Sequence, residues 1–113
     1  NGSIVNYSAK ELRRVDLTFG VGYEQDILKV KRVLSNIVEA HDLILKTPEP
    51  FIALSNHGDS AINFVVRVWV NNSDYWKVHF DLLESVKVAF DNEDISIPYP
   101  QMDLHIKNEG LSK

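Results

Sequence analysis

Two long stretches of alternating residues constrain this chain most, because each predicts a strand with one covered face. The stretch at residues 14–23 places apolar side chains at every second position, namely Val15, Leu17, Phe19 and Val21. The stretch at residues 61–70 does the same with Ile62, Phe64, Val66, Val68 and Val70. A period of two residues is typical of a half-buried strand. The sequence therefore predicts two long strands that contribute to one core.

Each long strand is followed by a segment with helical spacing. The first helix is expected to start near residues 24–26, and its predicted buried stripe is Ile27, Val30, Leu34, Ile37 and Val38. Polar residues 71–74 offer N-caps for the second helix, whose predicted apolar stripe is Trp76, Phe80, Leu83, Val86 and Phe90. Spacings of three and four residues put such side chains on one face of a helix. Both helices are therefore expected to pack on a sheet.

Shorter apolar runs at residues 51–55 and 95–97 complete the order strand, helix, strand, strand, helix, strand. This order is that of the ferredoxin-like βαββαβ arrangement, an α+β fold with two helices on one face of a small mixed sheet. A short strand at residues 3–8 precedes this unit, and an extra strand at residues 101–107 follows a Pro-Tyr-Pro break. The predicted organisation is a leading strand and linker at residues 1–12, a main domain at 13–100 and a terminal strand with its tail at 101–113.

Composition excludes several classes of function. The chain of 113 residues has no cysteine, so it contains no disulfide, thiolate metal site or cysteine nucleophile. Its formal net charge of -4 argues against nucleic acid as a partner. The richest apolar run, at residues 64–70, is too short to cross a membrane. The four histidines lack metal-site spacing, and no G-x-S-x-G motif is present. We therefore expect no cofactor, no metal and no enzymatic activity.

The predicted terminal strand leaves open how its backbone is paired. It alternates apolar and polar side chains after the proline break, and a lone strand has unpaired hydrogen-bonding groups on both edges. Copies from other chains could close it into a parallel barrel, or it could be an edge strand of the domain's own sheet. The candidate interface residues are Gln101, Met102, Asp103, Leu104, His105, Ile106 and Lys107.

Three aromatic residues form a second candidate contact. Trp69, Tyr75 and Trp76 lie near the end of the long strand and the start of the second helix. They either pack in the core or contact a neighbouring chain, because aromatic residues are enriched at the anchors of interfaces.

Three blocks of sequence resemble the small-conductance mechanosensitive channel (MscS) family. They are IVNYS with RRVDLTFGVGY and DI at residues 4–27, INFVVRVW at 62–69 and ISIPYPQMD at 95–103. The resemblance implies that residues 3–8 end a middle β domain, that 13–100 form the wall of a cytoplasmic cage, and that 101–107 join seven copies in a parallel barrel. It also implies a place on the cytoplasmic side of the bacterial inner membrane.

By the same resemblance, the chain is a vestibule domain that supports heptamer assembly and gives ions and small osmolytes access to the pore during osmotic shock. The family's membrane helices are absent from this sequence, so we expect no channel activity from this fragment alone and membrane contact only through the missing N-terminal region. The alternative is a ferredoxin-like regulatory module that binds a small molecule and pairs through its sheet. An acylphosphatase-like enzyme is disfavoured because the loop at residues 22–26 has no arginine.

Overall fold

Two helices and a three-stranded sheet make up the part of the chain, residues 11–98, that a computed structural model describes. In chain order the elements are β1 (Leu12–Val21), α1 (Ile27–Ala40), β2 (Phe51–His57), β3 (Ile62–Asn71), a 3₁₀ turn (Asn72–Asp74) and α2 (Tyr75–Asn92). The strand order is β1-β3-β2, and both pairings are antiparallel. The fold is therefore of the α+β class.

The two alternating stretches pair with each other along their whole length, as the central ladder of the sheet. The register runs from Leu12 opposite Asn71 to Val21 opposite Ile62. It sets Val15 opposite Val68 on the covered face, and all five even-numbered apolar residues of β3 are buried. This shared face is the floor of the core, and the predicted long strands are confirmed.

Helix α1 begins where the sequence predicts. The Asp26 carboxylate accepts hydrogen bonds from the backbone N–H groups of Leu28 (2.9 Å) and Lys29 (3.4 Å), so Asp26 is a capping residue. The helix buries Val30, Val33, Leu34 and Val38. The prediction that Ile27 is buried is wrong, because this first residue of the helix is 40% exposed. The N-terminal turn of α1 therefore presents apolar surface to solvent.

Strand β2 is longer than predicted and continues to His57 through a bulge between Leu54 and Asn56. The tight turn falls after it, where the Gly58 N–H donates to the Ala61 carbonyl at 2.7 Å.

The fourth strand predicted at residues 95–97 is not formed, so the ferredoxin-like order is not confirmed, and the sheet is antiparallel rather than mixed. Asp94 has a φ of 59°, which turns the chain back after α2 and lets the Ile95 N–H donate to the Phe90 carbonyl at 2.8 Å. Few residues then remain before Pro98, which has no N–H to donate. A single backbone bond, from the Gly22 N–H to the Ser96 carbonyl (3.1 Å), joins this segment to the end of β1.

The buried face of helix α2 agrees with the predicted stripe only in its C-terminal half, where Val86 and Phe90 are buried as predicted. Its buried residues are Val78, Leu82, Val86 and Phe90. Of the predicted stripe, Trp76, Phe80 and Leu83 are 56%, 59% and 41% exposed. The buried row is apolar along the whole helix, whereas the other row continues into Lys87, whose ammonium would be costly to bury. No helix among residues 11–98 is long and apolar enough to cross a membrane.

Neighbouring leucines on α2 test this orientation. We expect Leu82→Ala to lower the free energy of unfolding by about 2–5 kcal/mol, because it opens a cavity in the core. The matched control Leu83→Ala should cost about 0.5 kcal/mol or less, as an exposed helix position does. Urea unfolding of both variants, followed by circular dichroism, measures the difference. A larger loss for Leu83→Ala would mean that the predicted stripe, and not the observed one, faces the core.

Candidate functional site

The most distinctive surface of the described structure is a row of large apolar side chains on α2. Trp76, Phe80 and Leu83 follow one another at spacings of four and three residues, and all three are exposed. We call this row the aromatic ridge. Exposed apolar residues at these spacings are how a helix presents anchors to a protein partner. The ridge is therefore a candidate protein-binding surface.

Contacts between neighbouring rings hold the ridge in one conformation. The Trp76 ring stacks on that of Phe80, with centroids 5.7 Å apart and an interplanar angle of 26°. His79 lies edge-on to both rings, at 5.3 Å from Trp76 and 5.1 Å from Phe80. A surface whose side chains are already ordered loses less conformational entropy when it binds.

Tyr75 anchors the start of α2, and with it the ridge, to the sheet. The guanidinium carbon of Arg13 in β1 lies 3.8 Å from the centroid of the Tyr75 ring, which is a cation–π contact. The other neighbours of this ring are Trp76, edge-on at 4.9 Å, and His79, stacked at 6.0 Å. Nδ1 of His79 is buried without a hydrogen-bond partner among the described residues. His79 thus contributes chiefly as an aromatic ring.

The end of α1 fixes which side of α2 faces inward. Nδ1 of His41 accepts a hydrogen bond from the Leu43 N–H at 3.2 Å, so the proton of the neutral ring is on Nε2, which donates to the Asp81 carboxylate at 2.9 Å. The Lys77 ammonium lies 3.3 Å from the same carboxylate oxygen. The hydrogen bond from His41, assisted by Lys77, lowers the pKa of Asp81 although partial desolvation opposes it.

This contact defines the direction in which the ridge points. Trp76 precedes Asp81 by five residues, which corresponds to a rotation of about 140° around the helix axis. The ridge therefore points away from α1, on the side of α2 opposite its neighbour in the helical layer.

An open groove lies at the other end of the helical layer, between α1 and the connection from α1 to β2. It has a volume of about 790 Å³. Its rim carries the charged side chains of Lys31, Arg32, Lys46, Glu39 and Glu49. Its apolar lining is formed by Leu28, Val38, Ile44, Leu45, Pro50 and Ile52. The groove can accept an apolar side chain, and among residues 11–98 no group of His, Asp and Glu could hold a metal ion.

The structure brings together only two of the three aromatic residues selected from the sequence. Tyr75 is half-buried against the core, and its neighbour Trp76 belongs to the ridge. Trp69 is opposite Arg14 in the β1–β3 register, on the face of the sheet that the helices leave open. Trp69 is therefore separated from the other two by the sheet. The terminal residues 101–107 lie outside the described part of the chain, and their role stays a prediction.

Sequence reasoning missed Phe80 and Leu83 as surface residues, because it assigned them to the core. A second row, formed by Val78, Leu82, Val86 and Phe90, was present in the sequence and is the one that the structure buries. Two apolar rows on one helix are the signal that identifies the ridge, since a helix covering a sheet needs only one.

Three comparisons with known proteins agree with one another. The family model described as "Mechanosensitive ion channel MscS, C-terminal" matches residues 15–97. A protein of Edwardsiella ictaluri named small-conductance mechanosensitive channel is 49% identical over 105 residues, which are 93% of this chain and 37% of that protein. An uncharacterized MscS family protein of Synechocystis is 43% identical over 92% of this chain and 35% of its own length. The chain thus spans little more than a third of these relatives.

A solved structure adds a likeness in three dimensions. The crystal structure of Helicobacter pylori MscS in its closed state matches with a TM-score of 0.74 and 34% sequence identity. The match covers 78% of this chain and 35% of that one.

The contact between His41 and Asp81 predicts that the stability of the fold depends on pH in the acidic range. Because the pKa of Asp81 is lowered in the folded state, its carboxylate stabilises the fold above the normal carboxyl range, and that contribution is lost as the pH falls through the folded pKa. Asp81→Asn keeps the shape but cannot ionise, so we expect it to melt below the parent chain at pH 7 and to approach it at pH 3. Thermal unfolding across this range measures the gap. A gap that stays constant with pH would contradict the prediction, and Asp59→Asn, at an exposed position outside this contact, is the control.

Proposed function

Because this chain belongs to the mechanosensitive ion channel MscS family, we propose that it forms part of the wall of a cage beneath a channel pore. The family is one of channels and not of enzymes. In this proposal the domain lies on the cytoplasmic side of the bacterial inner membrane, and ions and small osmolytes pass through the cage to the pore during osmotic shock. In this proposal, membrane contact is made by parts of the channel other than this domain.

The observation that carries the proposal is the exposed aromatic ridge. Exposed contiguous apolar surface on a soluble domain marks a place where another molecule binds. The ridge is ordered by its own ring contacts and is attached to the core through Tyr75. A neighbouring copy of the same chain would cover this surface in a closed assembly. Trp76 is then a subunit contact, with Phe80 and Leu83 beside it, Tyr75 supports them, and Trp69 offers a separate contact on the open sheet face.

The proposed assembly contains seven copies. In it, residues 101–107 of each copy contribute one strand to a parallel barrel at the floor of the cage, which satisfies the backbone groups that a lone strand leaves unpaired. Neither a nucleic-acid partner nor a cofactor is part of the proposal.

The segment that leads toward this barrel is held firmly against the domain. The Ser96 hydroxyl donates to the Glu24 carboxylate at 2.9 Å, and the Lys29 ammonium donates to the Glu93 carbonyl at 2.7 Å. A backbone hydrogen bond at Glu24, followed by those from Ser96 and Gln25, lowers the pKa of Glu24. These bonds hold residues 93–96 against Glu24 and the first turn of α1. On this proposal, residues 95–97 complete a ferredoxin-like sheet beside the free edge of β1 when the cage assembles.

A chimeric channel tests the proposed function. This chain would replace the matching 105-residue region of the Edwardsiella ictaluri protein. We expect cells that lack their own mechanosensitive channels to survive hypo-osmotic shock when they express the chimera, and membrane patches to conduct under suction. Mass measurement of the purified chimera should give seven subunits. A chimera that inserts in the membrane but neither assembles nor conducts would overturn the proposal.

Variants of the same chimera test the ridge. The double variant Trp76→Ala and Phe80→Ala should reduce the assembled fraction on the order of tenfold, because buried aromatic anchors dominate the free energy of interfaces. Asn92→Ala, an exposed change on the last residue of α2, should leave assembly unchanged. Full assembly of the double variant would mean that the ridge is not a subunit contact.

A further inference from the structure

We propose that the aromatic ridge of one copy docks into the groove between α1 and β2 of the next copy. This inference rests on the proposed function only in taking the chain to work as a ring of identical copies. In this arrangement the groove of one copy covers the ridge of its neighbour. The contact is head-to-tail because it joins two different surfaces of two identical copies.

The two surfaces lie at opposite ends of the helical layer. In the sheet order β1-β3-β2, helix α2 contacts β1 and β3, whereas α1 contacts β2. The hydrogen bond from His41 to Asp81 turns one side of α2 toward α1, and the ridge is on the other side. The groove is on the far side of α1, where it is bounded by β2. One copy can therefore offer its ridge and its groove to two different neighbours at once.

The groove has the size and lining that the ridge requires. Its volume of about 790 Å³ is in the range of clefts that bind ligands. Its apolar lining includes Leu28, which is 73% exposed at the mouth of the groove. Exposed Ile27 adds apolar surface on the first turn of α1. Contact between ridge and groove would remove apolar surface from water on both partners.

Charge at the edges of the two surfaces also fits. The groove rim has three basic side chains and two acidic ones, so it is basic on balance. On α2, Glu84 lies one turn beyond Phe80, on the edge of the ridge nearer His41, and forms no ion pair within residues 11–98. Lys77 and Lys87 are each paired with an aspartate one turn away. The edge of the ridge nearer α1 therefore carries an acidic side chain without an ion-pair partner in the described part of the chain. Complementary charges at a rim orient partners more than they strengthen binding.

A head-to-tail contact has a consequence for symmetry. When one surface binds a different surface of the next copy, repeated contacts close into a ring or continue as a filament. A ridge that bound another ridge would instead stop at a dimer. Ridge-in-groove docking is thus compatible with a ring of more than two copies, such as the one that the proposed barrel of residues 101–107 would form.

Cysteine cross-linking tests the contact, because the chain has no cysteine of its own. The substitutions Phe80→Cys and Leu28→Cys both change exposed residues. Each would be made as a single variant, and the two would be combined in a double variant. A short bifunctional thiol reagent should link the two single variants only when they are mixed, and should turn the double variant into a ladder of oligomers. The control is a mixture of Phe80→Cys with Thr18→Cys, on the open face of the sheet. We expect it to give at least about tenfold less product, since it brings no docking surfaces together.

Two results overturn the inference. One is efficient cross-linking of Phe80→Cys with itself, which means a symmetric dimer. The other is no product above the Thr18→Cys control, in the isolated chain at high concentration and in the chimera. A chimera that assembles and conducts without the 28–80 cross-link refutes the docking mode and leaves the proposed function intact. A 28–80 cross-link in a chimera that does not conduct supports the docking mode and refutes the proposed function.

Discussion

The antiparallel pairing of β1 with β3 is the interaction on which the rest of the structure depends. Its unbroken register joins residues 12–21 to residues 62–71 and places the apolar side chains of both strands on one face. A slip of one residue would turn every one of those side chains to the other face. Both helices pack on that face, so the direction of each helix, and of every surface it exposes, follows from this ladder.

Helix α2 shows how the fold produces a second surface from one element. The row that contains Val78 and Leu82 packs on the sheet. Two further interactions, the Arg13–Tyr75 contact and the His41–Asp81 hydrogen bond, fix the rotation of the helix about its axis. Because that rotation is fixed, Trp76 and Phe80 cannot turn inward. The ridge is therefore a consequence of how α2 is anchored, and removing its apolar surface from water requires another molecule.

The sequence allowed the long strands, both helices and the start of α1 near residues 24–26 to be predicted, because each depends on the local spacing of apolar and polar residues. It did not allow the buried face of α2 to be chosen, because two apolar rows compete and the choice depends on where the sheet lies. The strand expected at residues 95–97 failed for a related reason. Its composition suits a strand, but the left-handed turn at Asp94 directs the backbone of Ile95 to the end of α2. Leu28 and the groove were likewise beyond prediction, since the connection that forms one wall has no periodic pattern.

Fold and assembly are coupled through α2, because one face of this helix closes the core and another is free to bind. The groove, in contrast, is built by α1, β2 and the connection between them. A change in the angle between the two helices would therefore move the ridge relative to the groove within each copy. In the proposed ring the same change would recur at every contact between copies, so the geometry of the His41–Asp81 contact would influence how many copies close the ring. This partly buried polar contact thus links the packing of the helices to the direction in which the ridge points.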